Sequence, residues 1–204
     1  MKKFVLTAAL AFAAVSAAAP AQAAFPVYPN PGTQNPQNYL VTAANTGVLR
    51  AIFVGKDAAH TSLLGVLVGG IDRGTGLNNQ TATFGQVYNY GAITAGQTIE
   101  YYIFNTTTGQ KYFLDKSKNP GNVQHFWRAN YSGTDFGYAV TGGYYSGEDL
   151  PKGGDFDYND MSWVSTTGAV PEPATWAMMI MGFGLIGGAL RSAKGRQTAR
   201  VRFA

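Results

Sequence analysis

One short segment, residues 147–160 with the sequence GEDLPKGGDFDYND, carries five of the chain's eleven acidic residues. Six of its side chains have oxygens suited to a hard cation: Glu148, Asp149, Asp155, Asp157, Asn159 and Asp160. Calcium takes about six to eight oxygen ligands in flexible geometry. The segment is therefore a candidate calcium site, a pair of catalytic carboxylates or a solvated turn.

The spacing within this segment favours calcium. Asp155, Asp157 and Asn159 have the 1-3-5 spacing that opens the helix-loop-helix calcium motif, although the remaining positions of that motif hold other residues. The glycines at 153–154 give the backbone the freedom to bring the earlier acids across. The alternative is a polar turn whose Asp and Asn side chains bond their own backbone. Its carboxylates would then repel one another without a cation.

The residues that common catalytic sites need are scarce. The chain has two histidines, His60 and His125, and no cysteine, which excludes a zinc site of three or four His and Cys ligands. The G-x-S-x-G elbow of serine hydrolases is absent. A glycosidase would need two carboxylates across a cleft, one with a raised pKa. We expect no catalytic residue and no cofactor other than Ca²⁺.

The elements that position the acidic segment are expected to be strands. Short runs of β-branched and aromatic residues alternate with Gly, Asn, Asp and Thr, and no persuasive helical period occurs. The predicted strands are Val48–Val54, Ser62–Val68, Thr83–Tyr90, Thr98–Phe104, Lys111–Leu114, Val123–Ala129, Gly137–Tyr145 and Met161–Ser165. They predict an antiparallel β-sandwich or jelly roll. Most aromatic residues are expected in its core, and Tyr144 and Tyr145 are expected to be partly exposed.

The formal net charge of +4 comes from the ends of the chain. Residues 24–190 contain eight Lys and Arg against eleven Asp and Glu, a balance of about −3. A nucleic-acid partner would need a basic face with interleaved aromatic residues. We therefore expect no nucleic-acid partner.

The N-terminal residues have the three parts of a secretory signal. Lys2 and Lys3 form the charged start, an apolar run follows, and the small-x-small pattern ends at Ala23. We expect signal peptidase, acting with the general secretion machinery, to remove residues 1–23 by cleavage between Ala23 and Ala24. Residues 24–44 hold several prolines and predict an extended leader before a β-domain at 45–169.

The C-terminal residues predict a membrane anchor. Residues 174–190 carry no charge, and as a helix they would span about 25 Å at ~1.5 Å per residue. The basic tail at 191–204 is expected to stay in the cytoplasm by the positive-inside rule. The β-domain would then lie on the outer side of the membrane.

The sequence around this anchor resembles a known sorting signal. Pro171, Glu172 and Pro173, then Trp176 and the Gly182-Phe183-Gly184 stretch before the basic tail, look like a PEP-CTERM signal of the PEPxxWA variant at 170–204. The resemblance implies a Gram-negative exported protein, anchored transiently in the inner membrane and processed by an exosortase near the Pro-Glu-Pro motif. It also implies association with exopolysaccharide and biofilm matrix.

A second resemblance covers the acidic segment. The order Glu148-Asp149, then Gly153-Gly154-Asp155, then Tyr158-Asn159-Asp160 is similar to a secreted bacterial domain of unknown function with an ED…GGDxDYND motif. We expect an exported, non-enzymatic protein of the cell surface or extracellular matrix with a calcium-binding loop. The alternatives are a secreted polysaccharide-modifying enzyme and a purely structural matrix component without a specific ligand.

Overall fold

The computed structural model describes residues 25–168, 182–186 and 191. Across these residues the chain consists mainly of antiparallel strands, and the mainly β, antiparallel prediction is confirmed. Helical structure among these described residues consists of three short 3-10 turns, a helical segment at 182–186 and the helical residue Arg191. The turns are Lys116–Lys118, Pro120–Asn122 and Pro151–Gly153.

The strands form two five-stranded sheets. Their bounds are β1 Val41–Thr42, β2 Gly47–Gly55, β3 Ser62–Val68, β4 Ile71–Asn78, β5 Val87–Ile93, β6 Thr98–Asn105, β7 Gln110–Phe113, β8 Phe126–Gly133, β9 Val140–Gly147 and β10 Met161–Gly168. The first sheet has the order β1-β6-β3-β4, and β7 also pairs with β6. The second sheet has the order β5-β2-β10-β9-β8.

The two sheets share one hydrophobic core. Leu64 and Tyr101 from the first sheet and Leu49 and Trp163 from the second are all 0% exposed and belong to the same cluster. The ring of Tyr145 stacks on Trp163 at a centroid distance of 5.5 Å. Alternate residues of each strand point to the same side of the sheet. The residues of the second sheet that do not point into this core therefore lie on the outer face of that sheet.

The expectation that Tyr144 and Tyr145 are partly exposed was wrong, because both are buried. Tyr145 packs in the core between the sheets. Tyr144 lies on the outer face of the second sheet, where Phe25 and Trp127 contact its ring. Neighbouring residues of a strand point to opposite faces of the sheet. At this position of β9 one face is covered by the core and the other by aromatic side chains.

The strand that the sequence pattern missed most clearly is β4. Its sequence, IDRGTGLN, lacks alternating apolar residues, and Leu77 is its one buried hydrophobic side chain. It lies at the edge of the first sheet, and its first four residues are exposed, so little of the strand needs apolar side chains. Predicted strand Thr83–Tyr90 is also displaced, because residues before Val87 form a turn.

The expected leader packs against the β-domain. Tyr28 and Asn35 are buried, and the Asn35 backbone N–H donates to the Tyr158 hydroxyl at 2.9 Å. The Asn35 side chain donates to the carbonyl oxygen of Phe126 at 3.0 Å. Strand β1, near the end of this segment, pairs with β6. The segment therefore adds a strand to the first sheet and makes hydrogen bonds to β8 of the second sheet and to the acidic loop.

The predicted targeting segments lie largely outside the described residues. These segments are the signal peptide 1–23 with its cleavage site at Ala23 and Ala24, the Pro171–Pro173 motif and most of 174–204. No helix within the described residues has both the length and the apolar character needed to span a membrane.

Candidate metal centre

The acidic segment forms the connection between two neighbouring strands of the second sheet. Met161 at the start of β10 pairs with Gly147 at the end of β9, so residues 148–160 close this end of the strand pair. The connection contains the 3-10 turn Pro151–Gly153. Because its two ends are fixed by central strands, the loop is anchored on both sides.

Three of the six predicted ligands converge. One carboxylate oxygen from each of Glu148, Asp155 and Asp157 lies within 4.8 Å of the other two. Glu148 is 1% exposed, Asp157 is half-buried and Asp155 is exposed. The cluster therefore has one ligand at its base and two toward solvent. Backbone carbonyls and water could complete the oxygen shell that calcium requires.

The backbone conformation of the loop brings these carboxylates together. Phe156, between Asp155 and Asp157, has φ 57°, and Tyr158 has φ 55°, both in the left-handed region. Gly154 has φ 55°, and a Cβ there would lie 2.6 Å from the Oε2 atom of Glu148. Only glycine leaves room for the Glu148 carboxylate at this point.

The electrostatics of the cluster disfavour three bare negative charges. Burial raises the pKa of Glu148 to about 9, and the carboxylates of Asp160, Asp155 and Asp157 add to that effect. The backbone N–H of Tyr158 donates to Glu148 Oε1 at 2.6 Å and opposes the rise. Burial and the charge of Asp155 also raise the pKa of Asp157. A bound cation would reverse these shifts.

The other three predicted ligands have different partners. Asp149 accepts a hydrogen bond at Oδ2 from the Ser62 hydroxyl at 2.7 Å. Asp160 Oδ2 accepts from the backbone N–H of Asp149 at 2.8 Å, and burial raises the pKa of Asp160 to about 7. The Asn159 side-chain amide donates to Asp157 Oδ2. These residues therefore hold the loop in shape, while Glu148, Asp155 and Asp157 form the cluster.

Three residues that the sequence analysis did not assign to this site support it. Ser62 is the polar first residue of β3, and Asn105, the last residue of β6, donates to the carbonyl oxygen of Asp149 at 2.7 Å. The His125 carbonyl accepts from the backbone N–H of Glu148 at 2.8 Å. Ser62 and Asn105 are polar residues at the ends of apolar strands, which is the one sequence signal that indicates them.

His125 has a structural role beside the cluster. Its ring stacks on Tyr112 at a centroid distance of 3.9 Å, and its Nδ1 lies 3.2 Å from the carbonyl oxygen of Glu148. Burial lowers the pKa of His125 to about 4, so the imidazole is neutral at pH 7. It therefore supplies no positive charge to offset the acids.

Comparison with known proteins identifies one segment of the chain. Residues 169–195 match the PEP-CTERM protein-sorting motif. No curated protein and no solved structure matches the chain. The matched segment begins directly after Gly168, the last residue of β10. The motif indicates an exported surface protein that is processed by an exosortase and whose precursor passes through a membrane.

Proposed function

We propose that this chain is a non-enzymatic protein of the extracellular matrix whose β-sandwich is stiffened by calcium at Glu148, Asp155 and Asp157. It is exported, held in the inner membrane by 174–190 and released near Pro171–Pro173 into an exopolysaccharide-rich matrix. The sorting motif supports the export route. The convergence of three carboxylates within 4.8 Å carries the calcium assignment.

The charge around the cluster supports a cation. The salt bridges among the described residues are Lys111–Asp72 and Lys118–Glu100, and neither involves the acidic loop. Carboxylates that converge without a basic partner repel one another, and a divalent cation removes that repulsion. Outside the cell, modules with calcium Kd values of about 10⁻⁴ to 10⁻³ M are filled.

The burial of Glu148 favours a ligand over a catalytic acid. Its pKa is raised, as a general acid requires, but its side chain is 1% exposed and its Oε1 accepts from Tyr158 N–H. A general acid must come within hydrogen-bond reach of its substrate. At the base of the acidic loop, the Glu148 carboxylate is too buried for a polysaccharide to reach it.

The test is the melting temperature of the full chain in detergent, with calcium or with a chelator. Calcium at roughly 100 times its Kd should add about 2.7 kcal/mol of stability, because it binds the folded chain alone. Asp157→Asn should abolish this response. The matched control is Asp135→Asn, which alters a carboxylate in the connection between β8 and β9 and should leave the response intact.

A melting temperature that calcium and chelator leave unchanged would refute the calcium assignment. Hydrolysis of the producer's own polysaccharide, lost in Asp157→Asn but retained in Asp135→Asn, would favour the polysaccharide-modifying alternative. A response that survives Asp157→Asn would place the cation elsewhere.

A further inference from the structure

A second site lies at the other end of β9 and β10, where the two sheets separate. A cavity of about 270 Å³ opens there between β1 with the residues after it and strands β8, β9 and β10. This volume is slightly below the ~300–1,000 Å³ of typical small-molecule pockets. It suits one sugar residue rather than an oligosaccharide.

Small residues create this cavity on the inner face of the second sheet. Tyr145 and Trp163 fill the core, and two residues further along the same face stand Gly143 and Ser165. A Cβ at Gly143 would lie 2.7 Å from the ring of Tyr145, so this position admits no larger side chain without displacing the ring. The opposing wall includes Ala43 and Ala44. The sheets therefore cannot close on each other here.

Arg128 places a positive charge in the cavity wall. Its Nε donates to the Tyr145 hydroxyl at 3.1 Å, and its guanidinium carbon lies 5.6 Å from the centre of the same ring. No salt bridge joins Arg128 to an acid of the described residues. The terminal nitrogens of its guanidinium are thus available to a planar acid, which arginine binds through paired hydrogen bonds.

The remaining polar groups in the wall are neutral. They are the hydroxyls of Thr42, Thr141, Ser165 and Thr167 and the amide of Asn45, and no Asp or Glu lines the cavity. One fixed cation surrounded by hydroxyl and amide groups matches a ligand with one carboxylate and several hydroxyls. The Ser165 hydroxyl already bonds to that of Tyr101 and the Thr141 hydroxyl to that of Ser132, but a hydroxyl both donates and accepts and can take a sugar hydroxyl as a further partner. An apolar ligand would displace water from this wall without replacing the hydrogen bonds that water makes, which costs binding free energy.

We propose that this cavity binds a uronate, a sugar unit carrying a carboxylate, with Arg128 on the carboxylate and the threonine and serine hydroxyls on the ring hydroxyls. The inference rests on the proposed matrix function and deepens it, because it names the single acidic sugar unit through which a matrix polysaccharide would be held. The acidic loop lies at the opposite end of β9 and β10, so the two sites are separate.

The test is calorimetric titration of the full chain in detergent with glucuronate, with glucose as the neutral analogue and acetate as the carboxylate alone. Glucuronate should bind saturably, and glucose and acetate at least about tenfold more weakly. Arg128→Gln should weaken glucuronate binding by at least about tenfold, because it removes a charged hydrogen-bond donor. Arg73→Gln removes an exposed cation of β4 and should change nothing.

A second variant tests the location without touching the charge. Ala44 is exposed at the cavity wall, so Ala44→Trp should block the cavity while the sheets stay folded. Absence of saturable glucuronate binding, equal binding of glucose, equal binding of acetate, or full binding by Ala44→Trp would each overturn the assignment.

The outcome is distinguishable from that of the calcium test. Asp157→Asn should bind glucuronate as the unmodified chain does, because its carboxylate lies outside the cavity wall. Loss of calcium stabilisation with intact glucuronate binding rejects the cation site alone. Intact calcium stabilisation without glucuronate binding rejects the uronate site alone.

Discussion

The two ends of the β9–β10 pair differ in how far the hydrogen-bonding capacity of their charged side chains is used within the fold. At the acidic end, Asp149 and Asp160 each accept hydrogen bonds from within the fold, from Ser62 Oγ at 2.7 Å and from Asp149 N–H at 2.8 Å. At the cavity end, Arg128 makes one side-chain hydrogen bond, to Tyr145. The acidic end is therefore part of the folded framework, whereas the cavity end is open to a ligand.

This difference indicates that polar side chains in this protein have two separable functions, one in holding the backbone and one in binding a ligand. Residues with partners in the chain fix the backbone, and their loss should cost stability. Groups that keep free hydrogen-bonding capacity, such as the Asp155 carboxylate and the terminal nitrogens of the Arg128 guanidinium, are available to a ligand. Glu148 has both properties, because it accepts from Tyr158 N–H and belongs to the carboxylate cluster.

The largest effect on stability is expected from Asp149→Ala. The substitution removes a buried carboxylate and leaves the Ser62 hydroxyl without its acceptor. Charged hydrogen bonds of this kind contribute about 1.5–3 kcal/mol, so the free energy of unfolding should fall by that amount in urea titration. The control, Asp135→Ala, removes a more exposed carboxylate that accepts from the Tyr131 hydroxyl at 2.6 Å, and should cost less. Equal losses of unfolding free energy in Asp149→Ala and Asp135→Ala would contradict the claim that Asp149 belongs to the folded framework.

The next effect is a dependence of stability on pH in the absence of calcium. The folded chain raises the pKa of Glu148 to about 9, above its ordinary value, so the folded state binds a proton that the unfolded state releases. The stability contributed by this proton is complete at low pH and is lost as pH rises toward about 9. Asp160, with a pKa raised to about 7, acts in the same direction.

Glu148→Gln is the variant that isolates this effect. It should flatten the fall of melting temperature between about pH 5 and 9 and remove the response to calcium, because the glutamine is neutral at every pH. Calcium should flatten the same profile in the unmodified chain, since a cation stabilises the ionised carboxylates. A profile that Glu148→Gln leaves unchanged would assign the dependence to other groups.

The smallest effect is expected at the cavity end. Arg128 is half-exposed and makes one side-chain hydrogen bond, so Arg128→Gln should change the free energy of unfolding by less than about 1 kcal/mol. Tyr145→Phe, which removes the acceptor of that bond, serves as the matched comparison. A loss at Arg128 as large as that of Asp149→Ala would make Arg128 a structural residue.

Sequence patterns predicted the apolar strands of this fold better than its polar edges. Strand β3 has the bounds that its run of Leu and Val residues predicts, because that pattern follows burial directly. Strand β4 was missed because an edge strand with glycines and charged residues lacks that pattern. The position of β5 depends on a turn, and turn conformations are only weakly encoded by the residue types before Val87.

The acidic loop shows a similar limit. Composition indicated six candidate ligands, but which of them converge depends on left-handed backbone angles at Phe156 and Tyr158. Neither residue type favours that conformation, so no pattern indicates it. The partner of Asp149, Ser62, is distant in the chain and is brought near by the sheets. Local spacing therefore found the loop but could not divide it into ligands and supports.

The most direct test of the central claim is a crystal structure of the chain grown with calcium. We predict an ion between the carboxylates of Glu148, Asp155 and Asp157, with ligand distances of about 2.3–2.6 Å. Asp149 and Asp160 should retain their hydrogen bonds to Ser62 Oγ and to Asp149 N–H. A structure in calcium whose three carboxylates enclose no ion would contradict the claim.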